Sequence, residues 1–296
     1  MGFEFVEIKS LLNRHKKRDP WFQDDYSVNP YKGCSFNCLY CYTLGSRYGQ
    51  AEPGKVFIKA NAPEILEKEL KRRAKRNQYG FIAVSSSTEP YMKIEEKTGL
   101  TRKILELIRD FRFPVVVLTK STLVKRDFDL IREIGKNAIL PRDTCARDGA
   151  FIIVSLSTLD ESTARKVEPG APSPEERIRI VREAKEYGLS AGVAFIPVLP
   201  FISDSEESLD HMISQVKFAD FVFVGSLTLF GKGQFDSKTR YFHFLEKYYP
   251  DLVKKYRSLF RIFPVPSRNY TENLLNITRK IAKKYRISHG LPGCDI

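Results

Sequence analysis

Short apolar runs alternate along the chain with longer stretches in which apolar positions recur every three or four residues. The runs Phe81–Val84, 115–118, 151–156, 191–196 and 221–224 are almost unbroken Val, Ile, Phe, Leu and Ala. Apolar runs of four to six residues without polar alternation predict strands covered on both faces. Each follows a segment with helical spacing, at residues 63–77, Leu100–Asp110, 127–135, 174–187 and 205–217. A first strand is expected at 26–28, leading into a cysteine-bearing loop. Strict strand–helix alternation implies right-handed crossovers and a parallel sheet, so the pattern predicts an α/β fold of six β/α units. Pro174 with Glu175 and Glu176 marks a helix start, and Gly188 after Tyr187 a stop. Asp204 is expected to cap the helix that carries Glu206 and Glu207. The ends are weakly patterned, with helices expected at 240–248 and 271–285. The predicted organisation is an N-terminal extension over 1–25, a core over 26–230 and a helical C-terminal extension over 231–296 packed on that core.

Composition narrows the setting. With 296 residues and 42% hydrophobic content the chain can bury a sizeable core. No window approaches the ~20 apolar residues of a membrane span. Met1-Gly2-Phe3-Glu4-Phe5 lacks the basic-then-apolar pattern of an export signal, so a soluble cytoplasmic protein is expected. The net charge of +13 is compatible with a nucleic-acid partner, and equally with an acidic electron donor of the ferredoxin or flavodoxin type. Much of the charge lies in mixed runs such as residues 67–76, which read as a solvated helix face.

Candidate chemistry begins at Cys34, Cys38 and Cys41, spaced C-x3-C-x2-C with Tyr40 before the last. A zinc knuckle would need a fourth ligand nearby, and the next cysteine on the C-terminal side is Cys145. Three thiolates within eight residues can wrap a [4Fe–4S] cube and leave one iron open, where four cysteines are usual. Five cysteines fit a reducing compartment better than a disulfide framework. Cys145 lies in a helix-to-strand connection, the structural face of a β/α barrel, and Cys294 near the C-terminus has no assigned role. Past the second strand come four hydroxyls, Ser85-Ser86-Ser87-Thr88. Lys120 stands at the mouth of the third strand, where a lysine calls for an anionic partner. Alternation puts Ser155 and Ser157 on one face after the fourth strand.

Together with Asn29-Pro30-Tyr31-Lys32-Gly33-Cys34, Thr88-Glu89-Pro90-Tyr91, Leu118-Thr119-Lys120-Ser121, Ser155-Leu156-Ser157-Thr158-Leu159-Asp160 and Glu168-Pro169-Gly170-Ala171-Pro172, these residues resemble the radical S-adenosylmethionine (SAM) superfamily. Within it they are similar to the group related to spore photoproduct lyase, over about residues 10–290. The resemblance implies a partial (β/α)6 barrel of TIM type and reductive cleavage of SAM to methionine and a 5′-deoxyadenosyl radical. It implies that Cys34, Cys38 and Cys41 ligate a [4Fe–4S] cluster. Ser86 and Thr88 would hold the SAM amino group, Lys120 the carboxylate, and Ser155 and Ser157 the ribose. Tyr40 and the bend Ile196-Pro197-Val198-Leu199-Pro200 would face the adenine, and Tyr42 would relay a radical. The lyase also uses a hydrogen-donor cysteine just after the second strand. Serines stand there in this chain, so the substrate and the fate of its radical are left open.

Overall fold

The apolar runs pair side by side in the order in which they occur. The computed structural model describes residues 2–47, 49 and 53–294. Its N-terminal part supplies β1 (Phe3–Val6), β2 (Asn13–Arg14), β3 (Asp24–Val28), β4 (Tyr31–Lys32) and β5 (Val56–Lys59). Then come α1 (Ala62–Ala74), β6 (Phe81–Val84), α2 (Glu95–Thr98), α3 (Leu100–Asp110), β7 (Val115–Thr119), α4 (Phe128–Asn137) and β8 (Ala150–Ser155). The remainder runs α5 (Glu161–Val167), α6 (Pro174–Glu186), β9 (Ser190–Val198), α7 (Glu206–Gln215), β10 (Phe221–Ser226), α8 (Ser237–Tyr248), α9 (Val253–Leu259), α10 (Arg268–Tyr285) and β11 (Ser288–His289).

The main sheet follows the order β11-β10-β9-β8-β7-β6-β3-β2. The six predicted strands, β3 and β6 to β10, are consecutive and parallel in it. A sheet wound in one direction with helices between its strands is the wall of a β/α barrel, and here β2 and β11 leave it open at the edges. Both edge strands come from the weakly patterned ends. β2 joins antiparallel and β11 parallel. A second sheet, β1-β5-β4, had no counterpart in the sequence reading. β1 pairs with a segment some fifty residues away, a long-range contact that no local pattern announces.

Alternation sorts each strand into two faces. Ile82, Val84, Val115, Val117, Ile152, Val154, Val193, Phe195, Val222 and Val224 belong to the large core beneath the helices. The intervening Phe81, Val116, Phe151, Ile153, Ala194, Phe221 and Phe223 form a separate buried cluster that fills the barrel interior. Their rings meet edge to face or tilted, Phe81–Phe151 and Phe151–Phe221 both at 5.9 Å between centroids. Gly192 is needed here, because a Cβ would sit 2.4 Å from the Phe221 ring. Trp21, from the β2–β3 connection, stacks on Phe223 at 6.0 Å.

Two expectations are corrected. Asp204 does not cap α7. Ser205 does, accepting from the Ser208 amide, while Asp204 accepts from the Phe201 amide and the Tyr270 hydroxyl. A serine one residue closer has the extended backbone an N-cap requires. The cysteines outside the loop are not free either, since Cys145 and Cys294 form a disulfide across a separation of 149 residues. Cys294 is buried within the aromatic cluster at the floor of the barrel, and Cys145 is exposed beside it. The α4–β8 connection thus carries a structural cysteine, as its position predicts, but one bonded to the C-terminal tail.

Candidate functional site: the cysteine loop and the strand ends

The loop after β3 is pinned from three sides. Val167 accepts from the Leu39 amide at 2.8 Å, and the Gly170 amide donates to the Phe36 carbonyl at 3.0 Å. A Cβ on Gly170 would lie 2.7 Å from the Ser35 carbonyl oxygen, so only glycine lets this strap approach the loop. From α8, Arg240 donates to the Cys38 carbonyl at 3.3 Å and to the Asn37 side chain at 2.8 Å. Asn37 itself turns with φ 55°. The loop is therefore held by backbone contacts that leave its thiols unengaged in disulfides.

Cys38 is buried, while Cys34 and Cys41 are half-buried. The Phe36 amide donates to the Cys34 sulfur at 3.4 Å, and the Thr43 hydroxyl lies 3.0 Å from that of Cys41. Burial pushes the Cys34 thiol up to about 12, with the Glu89 carboxylate adding to it. Cys38 is also raised by burial, against the pull of the Lys120 ammonium. Such thiols stay protonated at neutral pH until a soft metal takes the place of the proton. Three free thiols on one short, pinned loop are the donor number of an iron–sulfur cube with one open iron, although among the described residues no three His, Cys, Asp or Glu side chains are gathered closely enough to hold a metal ion.

Interior-facing positions at the C-terminal strand ends are polar. Lys120 continues the column Val116, Leu118, and its ammonium turns inward to donate to the Ser155 hydroxyl at 3.0 Å. It lies 3.9 Å from Glu168. The Ser155 hydroxyl in turn donates to the Ile196 carbonyl at 3.1 Å. Glu89 is buried and braces Lys120 from behind, accepting from its amide at 2.8 Å and from the Thr119 hydroxyl. Burial raises the Glu89 carboxyl above its ordinary value, against three hydrogen bonds that favour the ionised form.

Among the other sequence-predicted residues, Ser86 is exposed and its carbonyl accepts from the Tyr42 hydroxyl at 2.6 Å. Thr88 is half-buried, with its hydroxyl 3.5 Å from that of Ser85. Ser157 lies beyond the end of β8, fully buried, with no hydrogen-bond partner for its hydroxyl. Tyr40 is packed in a core of Phe36, Cys38, Val167 and Leu199, and its hydroxyl donates to Glu168. The expected adenine side of this residue therefore adjoins the packed interior of the loop.

Three contributors escaped the sequence reading. Glu168 and Arg177 form an ion pair in which each side chain is 1% exposed, and Arg240 reaches the loop from 203 residues away. Burial alone would raise the Glu168 carboxyl, but Arg177 and Lys120 more than reverse this and hold it below the usual range. The available signal for the glutamate was a carboxylate followed by proline, shared by Glu89-Pro90 and Glu168-Pro169.

Comparison with known proteins agrees with this geometry. The radical SAM superfamily model matches residues 28–213, from the end of β3 through most of α7. An uncharacterized protein of Mycobacterium tuberculosis is 32% identical over 97% of this chain and 82% of its own length. A protein of a Pseudomonas phage named radical SAM Nalpha-GlyT isomerase is 22% identical over 69% of the chain and 39% of its own length. In fold, the chain is similar to spore photoproduct lyase complexed with dinucleoside spore photoproduct, with a TM-score of 0.68 at 16% identity, covering 96% of this chain and 79% of the lyase. The cysteine loop, the parallel barrel wall and the matched span together establish that the chain belongs to the radical SAM superfamily, a class of enzymes.

Proposed function

We propose that this protein binds a [4Fe–4S] cluster at Cys34, Cys38 and Cys41 and SAM at the adjoining strand ends, and abstracts a hydrogen atom from a substrate still to be identified. The observation that carries this is the inward turn of Lys120 onto Ser155, 3.0 Å apart, in the mouth of the barrel. Glu168, 3.9 Å away, supplies one negative charge and shares it with Arg177, so the half-buried ammonium at the barrel mouth can also receive an anionic ligand. Bound together, the cluster and SAM supply an electron and a 5′-deoxyadenosyl radical. The protein's part is to hold and orient. Lys120 binds the SAM carboxylate, Ser86 and Thr88 the amino group, and Ser155 and Ser157 the ribose. Tyr40 supports the adenine side through the loop, and Tyr42, at the rim beside Ser86, is placed to take part in hydrogen-atom transfer. The catalytic unit is residues 26–230, with 1–25 and 231–296 flanking it. An acidic donor of ferredoxin or flavodoxin type would deliver the electron, in the cytoplasm. No helix of the described residues is long and apolar enough to cross a membrane.

A second reading, nucleic-acid repair or binding, is favoured by the net charge of +13 and by a surface cavity of about 440 Å³ whose lining includes Lys232, Lys238, Arg257 and Arg261. Against lesion reversal in the lyase manner stands the run Ser85-Ser86-Ser87, where no thiol is available to donate a hydrogen atom. Binding to DNA that weakens steeply with salt would support the second reading, and undetectable binding at low salt would remove it. The leading reading is tested by anaerobic reconstitution with iron and sulfide, followed by dithionite and SAM. Formation of 5′-deoxyadenosine above background is expected, and a full cluster without cleavage would overturn it.

A further inference from the structure

We infer that Glu168 is a positioning residue that couples the cysteine loop to the SAM-binding strand ends, so that loop and strand ends keep one geometry. The inference rests on the assignment of Lys120 to SAM made above. Its basis is a division of labour between the two carboxylate oxygens. Oε2 takes the Arg177 guanidinium, an interaction internal to the fold. Oε1 takes the Tyr40 hydroxyl from the cysteine loop and lies 3.9 Å from the Lys120 ammonium. Arg177 extends the tie by donating to the Ser155 carbonyl at 3.0 Å and the Pro172 carbonyl at 2.8 Å. The backbone beside Glu168 clasps the loop through Val167 and Gly170. One buried carboxylate therefore reaches the segment between two of the thiols, the end of β7 and, through Arg177, the end of β8.

An ion pair kept only to stabilise the fold would need Arg177 alone. Buried pairs of that kind are often replaceable by apolar residues without loss of stability. The arm toward Tyr40 and Lys120 has a different consequence. It holds a flexible four-carbon side chain with its ammonium pointed inward before any ligand arrives, which lowers the ordering cost of binding.

The test is a double-mutant cycle read by calorimetric titration of SAM into cluster-loaded protein. Glu168→Gln/Arg177→Met removes both charges at similar volume, and is expected to keep the parent's iron content while weakening SAM about tenfold, with a lower melting temperature from the lost Arg177 bonds to the Ser155 and Pro172 carbonyls. In a Lys120→Ala background the same pair of substitutions should cost less than about threefold, because its effect passes through Lys120. Parental SAM affinity in the pair variant, or the full loss repeated without Lys120, would overturn the inference. Should the pair variant fail to fold, Glu168→Asp carries the test. It keeps the charge for Arg177 and shortens the reach to Lys120, so an unchanged SAM affinity there would equally overturn the inference. A parent that binds no SAM at all would overturn the proposed function, and this inference with it.

Discussion

Phe81, Phe151 and Phe221 fill the barrel interior near the N-terminal ends of their strands, ring against ring. Four residues further along the same strands, the positions are Ser85, Ser155 and Gly225, and on β7 Val116 gives way to Lys120. The floor is dry, aromatic and covered by Trp21 and the Cys145–Cys294 disulfide. The rim carries the hydroxyls, the ammonium and the thiols. A β-strand sends alternate residues to the same face, so one wall can hold both environments if its interior column changes chemistry halfway up. Stability is concentrated at one end, and the other can keep polar groups poised for a ligand.

If this division is right, substitutions at the two ends should fail differently. The largest effect is expected at the rim loop. Cys38→Ala should lose the complement of about four irons and with it all formation of 5′-deoxyadenosine, measured by iron analysis and product chromatography. At the floor, Phe151→Ala should cost about 3–5 kcal/mol of stability in thermal or denaturant unfolding, with SAM affinity of the folded fraction kept. Cys145→Ser with Cys294→Ser should cost roughly 2–5 kcal/mol, since the bridge closes a long loop of the unfolded chain, and should again spare SAM cleavage. A loss of SAM binding that matched the loss of stability in either floor variant would break the comparison.

The smallest effect concerns the sheet edge. Burial raises the Asp24 carboxyl to about 6, partly offset by His15, which contacts it at 3.1 Å. Below about pH 4 the group is protonated whether the chain is folded or not. Between about 4 and 6 the unfolded chain gives up the proton while the fold retains it, so stability falls as pH rises through this window. Asp24→Asn should remove that slope, gaining roughly 1–3 kcal/mol on the parent by pH 7. Parallel stability curves for the two proteins would show that Asp24 titrates normally.

Much of the wall was legible because both faces of a parallel strand are buried, so its Val, Ile and Phe runs stand out from amphipathic neighbours. The Lys120 and Ser155 pair could be placed by the same logic, since each ends an interior column. What escaped depends on chain segments far apart in sequence. β1 and β5 pair across some fifty residues, and Cys145 and Cys294 meet only when the tail folds under the barrel. Glu168 stands in the sequence only as part of the run Glu168-Pro169-Gly170-Ala171-Pro172. Its role comes from Arg177, Tyr40 and Lys120, which three different elements bring to it. Tyr40 shows both kinds of signal: its position beside the thiols suggests a ligand contact, and its hydroxyl is tied to the buried Glu168 carboxylate.

The account's central claim is that the rim binds SAM through residues the fold has already turned inward, and Lys120 tests it most directly. Calorimetric titration of SAM into cluster-loaded parent and Lys120→Ala should show affinity lower in the variant by roughly ten- to a hundred-fold, the loss of one charge-assisted contact of about 1.5–3 kcal/mol. Melting temperature and iron content should stay at the parent's values. Equal SAM affinity in the two proteins would contradict the claim.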